Sequence, residues 1–294
     1  MAQRFKWRLS YYRALSMRRI FDILFLIRFH NLCLGMLAVY TASFMLKVDF
    51  NVDVVICMVV VSSVMALGYL MNDYLDIETD KINHPKRGLV NNSVSRFQFF
   101  YINLFFLTTL FIAGMNLNQV AKKYLLLMVL PLLISYNFFF KKIIFIGNFS
   151  VSILLGFIFL FVELALVNST HNLLTPFYLT IGFSFLRELI KDAEDESGDL
   201  VSNMKTIPII LGEKKTNFFI IIVTCILLAL LPAPYFLKSY SIKYLLLLII
   251  FIEIPLIYSL FLLIKFPSKR TYSFLVQLLK FLCFIGLIIF MLER

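Results

Sequence analysis

Apolar residues in this chain fall in long runs that are separated by short polar stretches. A helix that crosses the core of a bilayer needs roughly 20 mostly apolar residues, and nine runs meet that length. Their approximate bounds are 21–45, 52–71, 97–115, 122–140, 147–167, 173–189, 217–237, 242–264 and 272–292. The pattern predicts an all-α polytopic membrane protein with nine transmembrane helices.

Lysine and arginine residues predict the orientation of this bundle. Besides the first 20 residues, they concentrate in four loops that the nine-helix layout places on one side, namely 72–96, 141–142, 187–215 and 265–270. An excess of Lys and Arg marks cytoplasmic loops. The amino terminus is therefore predicted to be cytosolic. Residues 1–20 are expected to form a basic arm on the membrane surface, and residues 21–294 a single membrane domain.

The composition supports a membrane location. Hydrophobic residues make up 61% of the 294 positions and charged residues only 15%, with a mean hydropathy of +0.89. Soluble domains carry about 25% charged residues, so this chain lacks the polar surface that water requires. The net charge of +11 is expected to contact anionic membrane lipids, and no soluble basic domain is present to hold a nucleic acid.

Two acidic segments follow apolar runs in loops assigned to the cytosolic side. They read "NDYLDIETD" at 72–80 and "KDAEDESGD" at 191–199. Both carry aspartates with the spacing i, i+3, i+7, which lies on one narrow face of a helix. The two sets are Asp73, Asp76 and Asp80, and Asp192, Asp195 and Asp199. Asn72 and Lys191 lie at the edges of these faces, whereas Glu78 and Glu194 point elsewhere.

Two such carboxylate faces predict a binding site for a metal and a diphosphate. Clustered carboxylates repel each other unless a cation neutralises them. Mg²⁺ prefers oxygen ligands and commonly bridges a few carboxylates to substrate phosphates. Cations that are near in sequence would neutralise the remaining phosphate charge, namely Lys81, Lys86, Arg87, Arg187 and Lys191. At the mouth of an apolar bundle, these groups suit a lipid diphosphate with Mg²⁺ as cofactor.

Other interpretations of the acids stay open from the residues alone. The acidic segments would also suit solvated loops or helix caps, or a metal-binding scaffold without catalysis. Glu163 and Glu253 lie inside predicted spans, where acids are functional candidates, so an ion-coupled transporter is a distant alternative. A transporter would place its coupling acids near the midplane, whereas most acids here gather on one side. The roles of Glu163 and Glu253 are not determined by the sequence.

The two acidic segments also resemble the paired motifs of the UbiA superfamily of intramembrane prenyltransferases. "NDYLDIETD" is similar to their NDxxDxxxD motif, and "KDAEDESGD" to their second motif. The stretches "RFHN", "INHPKR", "YNFFFKK" and "KTIPIILG" extend the likeness over essentially the whole chain. Nine helices with a cytosolic amino terminus are the layout that this resemblance implies. One departure is "GLVNNSVS", where many members carry a "PxxSG"-like stretch.

The resemblance implies roles for individual residues. Asn72, Asp76 and Asp80, with Asp73 beside them, would hold one Mg²⁺–diphosphate unit, and Asp192, Asp195 and Asp199 the other. Asp76, Asp80, Asp195 and Asp199 are the expected catalytic carboxylates. The remaining assignments are diphosphate contacts at Arg28, Lys141, Arg187 and Lys191, and cavity positions at Asn31 and Tyr136.

The implied reaction transfers an isoprenoid chain from its diphosphate to an acceptor, through an allylic carbocation. Aromatic rings would shelter that cation, with Tyr69, Tyr74 and Tyr136 as candidates. Within the family, the first motif is most similar to members that attach a geranylgeranyl group to geranylgeranylglyceryl phosphate. Members with aromatic acceptors, which serve quinone, chlorophyll or haem O biosynthesis, share the diphosphate site and are the alternative. The active site is expected to face the cytoplasm.

Overall fold

The computed structural model describes residues 21–85, 87–201 and 205–293. Within these ranges every regular element is helical and no β-strand occurs. The predicted basic arm at 1–20 and Lys86 lie outside the described residues. The division into an arm and one membrane domain therefore stays a prediction.

The helices follow each other with short connections. Numbered in chain order, they are α1 (Phe29–Met45), α2 (Val52–Leu75), α3 (Ile77–Asn83), α4 (Arg96–Met115), α5 (Gln119–Tyr124), α6 (Leu130–Phe138), α7 (Ile146–Val167), α8 (Leu174–Val201), α9 (Ile207–Leu211), α10 (Glu213–Leu230), α11 (Ala233–Phe236), α12 (Ile242–Leu248), α13 (Ile254–Lys265) and α14 (Lys269–Leu292). Several of them begin at side-chain caps, such as Asn51 before α2 and the capping box of Ser95 and Gln98 at α4.

Seven helical stretches in the described residues are long and apolar enough to cross a membrane. They are Val52–Leu75, Arg96–Met115, Gln119–Phe138, Ile146–Val167, Glu213–Phe236, Ile242–Lys265 and Lys269–Leu292. These stretches make the chain an integral membrane protein. The other two predicted runs coincide with α1, which is apolar but short, and with α8, whose second half is acidic. The count of nine spans and the orientation therefore stay predictions.

The predicted run 21–45 is not one continuous helix. Arg28 interrupts it with a left-handed backbone (φ 51°, ψ 51°), and α1 begins at the next residue. This conformation is unfavourable for a residue with a side chain. An ion pair between Arg28 and Asp73 holds the interruption in place. A hydropathy pattern does not register such a break because the residues on both sides are apolar.

Two of the spans contain a π-helical turn just ahead of a proline. Leu125–Val129 joins α5 to α6, and Ile249–Glu253 joins α12 to α13. Pro131 and Pro255 follow as the second residues of α6 and α13. Proline lacks the backbone N–H that would continue the helical hydrogen bonds, and a wider turn accommodates its ring. Both interruptions therefore have the same local cause.

The acidic segments lie on helices and not in loops. Residues 72–75 complete α2, residues 77–80 begin α3, and 191–199 belong to α8. The expectation that these segments lie in loops was wrong because both helices continue past their apolar runs, whereas their position on the cytosolic side stays a prediction. Large apolar clusters pack behind the acids: one is formed mainly by α8 and α10 to α14, the other by α1, α2, α4, α5 and α7. This packing fixes the helices that carry the acids.

Candidate active site

The first motif is divided between two helices. Leu75 ends α2 and Ile77 begins α3, with Asp76 between them at φ −103° and ψ 15°. The three aspartates therefore do not share the single regular helix face that the spacing predicts. Asp73 and Asp80 are buried, at 3% exposure each. The bend separates Asp76 from these two carboxylates, which changes the cations that each can reach.

Every aspartate of the first motif has a cationic partner. Arg28 Nη2 lies 2.6 Å from Asp73 Oδ1, and Arg87 Nη1 lies 3.2 Å from the same oxygen. Arg87 also pairs with Asp80, and the Lys141 ammonium pairs with Asp76. Burial raises the pKa of Asp80, although the Arg87 guanidinium opposes that effect. The motif is therefore largely neutralised by the protein's own cations.

The second motif keeps its predicted helical face because α8 continues to Val201 without interruption. Asp195 lies 3.5 Å from His84 Nε2 and 3.8 Å from Lys191 Nζ. Asp192 accepts a hydrogen bond of 2.8 Å from the Asn148 amide. Within the described residues, Asp192 and Asp199 form no ion pair. This motif therefore has less compensating charge than the first.

Differences in surroundings separate the pKa values within the second motif. Burial raises the pKa of Asp192 to about 7, against the hydrogen bond from Asn148. Burial and the neighbouring Asp195 carboxylate raise the pKa of Asp199 to about 6. Burial also acts to raise the pKa of Asp195, but His84 and Lys191 outweigh it and hold that pKa below its usual range. Asp192 and Asp199 are thus the two carboxylates with a need for an added cation.

A side-chain clamp brings the two motifs together. The Asn83 amide, at the end of α3, donates to the backbone carbonyl of Asp195 at 2.9 Å and accepts from the Gly198 N–H at 3.1 Å. A Cβ on Gly198 would lie 2.4 Å from the Asn83 side chain, so only glycine permits this contact. Sequence reasoning did not identify Asn83, and the signal available was only its position three residues after the first motif.

The turn between α6 and α7 and the first turn of α7 each supply one side chain to a motif. The connecting turn carries Lys141, which pairs with Asp76, and α7 carries Asn148, which donates to Asp192. A Cβ on Gly147 would lie 3.0 Å from the Lys141 Cα and 3.1 Å from the Phe140 carbonyl oxygen. The missing side chain at Gly147 therefore lets the turn fold closely onto the start of α7.

An apolar cavity of about 170 Å³ extends into the bundle from these motifs. Asn72 and Lys191 lie in its wall, and we call it the motif cavity. Arg28, Asn31, Tyr69, Tyr136, Arg187 and Glu188 line it with residues such as Val61, Leu133 and Phe161. A polar entrance and an apolar interior suit an amphiphile with an anionic head and a hydrocarbon tail.

The remaining predicted residues have distinct surroundings. The Arg187 guanidinium pairs with Glu188 at 2.6 Å and touches no motif aspartate in the described residues. Tyr69 lies under Arg28, whose Cζ is 4.6 Å from the ring centroid, whereas Tyr74 is 62% exposed and stacks on Phe99. Tyr136 lines the motif cavity, and neither a guanidinium nor another aromatic ring of the described residues covers its ring.

The motif residues suit Mg²⁺ by their chemistry. All the candidate donors are carboxylate or amide oxygens, which this ion prefers. In the part of the chain that the structure describes, no three acidic, His or Cys side chains converge to hold a metal by themselves. Mg²⁺ commonly takes one or two carboxylates and completes its shell with water and substrate phosphate. The arrangement fits an ion that arrives together with a diphosphate.

The two intramembrane glutamates differ in their environment. Glu163 is fully buried and accepts hydrogen bonds of 2.8 to 2.9 Å from the backbone N–H groups of His171, Asn172 and Leu173 and from the Asn172 amide. It therefore fixes the loop ahead of α8, which is a structural role. Glu253 lies in the second π-helical turn, and its buried Oε1 has no hydrogen-bond partner in the described residues.

These features define a class of protein before any comparison is made. The chain is an all-helical membrane protein with paired aspartate motifs and cations at the mouth of an apolar cavity. The model of the UbiA prenyltransferase family matches residues 32–285. The chain belongs to this family, and it is a prenyltransferase.

Curated relatives agree with this assignment. The chain is 30% identical over 222 residues to the digeranylgeranylglyceryl phosphate synthase of Methanosphaera stadtmanae. This match covers 76% of this chain and 80% of the relative. It is 32% identical over 256 residues to the enzyme of the same name from Methanocaldococcus jannaschii, with 84% and 87% covered. The transporter alternative is therefore wrong.

Solved structures share the fold. A digeranylgeranylglyceryl phosphate synthase is 29% identical with a TM-score of 0.68, and the match covers 94% of this chain and 98% of that one. A UbiA homologue from Archaeoglobus fulgidus, solved with DMAPP and Mg²⁺, has a TM-score of 0.66 at 14% identity, with 91% and 98% covered. At that identity the second likeness concerns the fold alone.

Proposed function

We propose that this chain is a Mg²⁺-dependent geranylgeranyltransferase whose acceptor is geranylgeranylglyceryl phosphate. The observation that carries the proposal is the clamped pair of aspartate motifs, with their cations, at the mouth of the motif cavity. The names of the curated relatives support the acceptor. The described geometry supports the diphosphate end more directly than the acceptor end.

The proposed reaction begins with ionisation of the donor. The bond between C1 of the prenyl chain and the diphosphate oxygen breaks, and both electrons stay on the diphosphate. Bound Mg²⁺ would neutralise part of the charge on that leaving group. Asn72, Asp76, Asp80, Asp192, Asp195 and Asp199 would hold the metal–diphosphate unit, with Asp73 orienting Arg28 and Arg87.

Cations of the chain would contact the leaving group directly. Lys141 and Lys191 already lie beside motif aspartates, so either ammonium can turn to a phosphate oxygen when the diphosphate binds. Fixed donors at a developing negative charge lower the barrier because they need no reorganisation. Arg28 and Arg187, in the wall of the motif cavity, are the further diphosphate contacts.

The acceptor hydroxyl oxygen then attacks C1 of the allylic cation, and the hydroxyl proton is released. The products are the prenyl ether, diphosphate and a proton. Water would trap the cation, so the apolar walls of the motif cavity serve to exclude it. The Tyr136 ring would stabilise the cation through its face, and Asn31 would help to shape the polar end of the cavity.

The test is release of diphosphate from geranylgeranyl diphosphate by purified protein with Mg²⁺. The panel contains geranylgeranylglyceryl phosphate, 4-hydroxybenzoate and dihydroxynaphthoate as acceptors. Release that depends on the glycerophosphate lipid is the expected result. Release that depends on an aromatic compound alone would replace the acceptor by the quinone-type alternative. No Mg²⁺-dependent release from folded protein with any acceptor would contradict the proposal.

The proposal places the site on the cytoplasmic side because the motifs adjoin the loops that are rich in Lys and Arg. Ile82, in α3 beside the first motif, is 42% exposed and suits a cysteine label in a background without the native cysteines. Reaction of Ile82→Cys with a membrane-impermeant reagent only after the membrane is opened is expected for a cytoplasmic site. Reaction in intact cells would reverse the orientation.

A further inference from the structure

A second cavity, of about 180 Å³, lies next to the motif cavity. We call it the Lys280 cavity, after the lysine in its wall. Asn31, Tyr69 and Arg187 line both cavities and form the partition between them. Apart from this partition, the wall is mainly apolar, with residues such as Phe183, Leu248 and Ile252. Two neighbouring cavities of similar size suit a reaction that joins two lipid chains.

Lys280 has unusual surroundings for a lysine. It lies within the span Lys269–Leu292, in the apolar sequence "LLKFLCF". Among the described residues it forms no ion pair, and no hydrogen bond of its ammonium is present. No Asp or Glu lines its cavity. A charged group within a span is costly without a partner and marks a functional site by default.

The charge around Lys280 is positive. Arg187 lies in the same wall, and the charges of both Arg187 and Arg28 act on Lys280. The Arg187 guanidinium uses one contact for Glu188 but carries five N–H donors, so further donors remain. Ser184 and Thr180, one and two helical turns before Arg187 on α8, add hydroxyl groups to the same wall.

This combination of groups fits one type of ligand. The Lys280 ammonium offsets one negative charge of a phosphate monoester, and the Arg187 guanidinium, although paired with Glu188, has further N–H donors for a phosphate oxygen. Hydroxyls nearby provide further hydrogen bonds, and the apolar remainder of the wall accepts a hydrocarbon chain. A neutral lipid would leave Lys280 without compensation, and a small polar anion would leave the apolar wall unfilled.

From these features we infer that the Lys280 cavity binds the acceptor lipid and that Lys280 holds its phosphate, while Arg187, which lines both cavities, lies between this phosphate and the donor diphosphate. The inference rests on the proposed function, since it assigns the acceptor of that reaction to a place. The phosphate is held at the Lys280 side of the partition. The acceptor hydroxyl then reaches past Asn31 and Tyr69 toward the motif cavity, where the allylic carbon is generated.

The first experiment compares steady-state kinetics of the parent with Lys280→Gln, Lys280→Met and Lys280→Arg. Loss of a charge-assisted contact to phosphate corresponds to about a 10- to 100-fold rise in KM. We expect that rise for geranylgeranylglyceryl phosphate in Lys280→Gln and Lys280→Met, with the KM for geranylgeranyl diphosphate changed less than about twofold. Lys280→Arg should recover much of the affinity because it keeps the charge. Lys265→Gln, at the exposed last residue of α13, is the matched control and should behave as the parent.

A second comparison separates phosphate recognition from a general structural effect. The parent should prefer geranylgeranylglyceryl phosphate to geranylgeranylglycerol, the same lipid without its phosphate, by at least the same factor. Lys280→Gln should lose most of this preference because the lost contact concerns only the phosphate. An equal rise in KM for both lipids, or an unchanged preference in folded Lys280→Gln, would overturn the inference.

Binding without turnover distinguishes this inference from the proposed function. Calorimetric titration of geranylgeranylglyceryl phosphate into the full chain, with no donor and no Mg²⁺, reports on lipid binding without turnover, and the difference between the parent and Lys280→Gln measures the contribution of Lys280. Binding that weakens at least tenfold in Lys280→Gln supports the inference even if no diphosphate release is found. Equal binding by the parent and Lys280→Gln overturns it, even when the parent turns over the lipid. A Lys280 effect confined to 4-hydroxybenzoate would likewise overturn the assignment to a phospholipid acceptor.

Discussion

The two aspartate motifs have the same spacing but different structures. The first is bent at Asp76, and Arg28, Arg87 and Lys141 neutralise its carboxylates. The second lies on one continuous helix, and its Asp192 and Asp199 form no ion pair within the described residues. The carboxylates of the first motif are thus paired with cations of the protein, whereas two carboxylates of the second motif are not. A metal ion that binds with a diphosphate is therefore expected to contact mainly the second motif.

The largest expected effect concerns catalysis, for which the proposed mechanism requires both motifs. Asp76→Ala and Asp195→Ala should each lower the rate of diphosphate release by roughly 100-fold or more, since each removes a carboxylate that is proposed to hold the Mg²⁺ at the leaving group. The matched controls are Glu78→Ala, whose side chain is 80% exposed and pairs with Lys81, and Glu194→Ala. They should keep the rate within about twofold. Full activity in both aspartate variants would remove the site assignment.

Stability should distinguish the motifs next. Asp73→Asn leaves the partly buried Arg28 without its ion pair, so we expect a loss of about 3 kcal/mol in the free energy of unfolding. Asp192→Asn should cost less than about 1 kcal/mol, because burial already disfavours the charged form and raises its pKa to about 7. Denaturant unfolding in detergent measures both. Equal losses would show that the two motifs are neutralised alike.

The Mg²⁺ requirement gives a complementary comparison. Removal of the ion with EDTA should stop diphosphate release in the parent, and added Mg²⁺ should restore it. Asp192→Asn should raise the Mg²⁺ concentration for half-maximal rate roughly 10-fold, whereas Asp73→Asn should raise it less, since Arg28 and Arg87 already engage Asp73. The reverse order would place the main metal contact on the first motif.

The smallest expected effect on the reaction concerns the clamp between the motifs. Gly198→Ala places a Cβ against the Asn83 amide, which must move, so we expect a loss of about 1–3 kcal/mol in unfolding free energy and a several-fold slower reaction. Gly114→Ala is the control because nothing lies within 4 Å of its added Cβ. A combined Asn83→Ala and Gly198→Ala variant should lose less than the sum of the single changes. Strict additivity would mean that the two residues do not interact.

Local sequence patterns predicted what depends on neighbours in the chain. The apolar runs gave the helices, and the spacing of Asp192, Asp195 and Asp199 gave their shared face because α8 is unbroken there. The same spacing failed at Asp76, where the chain bends. The break at Arg28 was also unpredictable from hydropathy, since it depends on an ion pair with a residue 45 positions away.

Contacts between distant residues account for the rest of the site. Asn83 and Gly198 became visible only when α3 and α8 were seen side by side. His84, which follows the last residue of α3, lies 3.5 Å from Asp195 because α3 brings it to α8. Lys280 lies inside a predicted span, and its significance comes from the cavity that it lines. None of these relations has a spacing signature in the sequence.

The clamp also has a consequence for the order in which this site is made during synthesis. The partners Arg28 and Asp73 are 45 residues apart, whereas Asn83 meets Asp195 across 112 residues and Gly198 across 115. A ribosome releases the amino-terminal half first. The first motif can therefore be neutralised while most of the second half is still untranslated. The second motif lies on α8, so a nascent chain that ends before α8 would lack part of the proposed diphosphate site and would not begin the proposed ionisation chemistry.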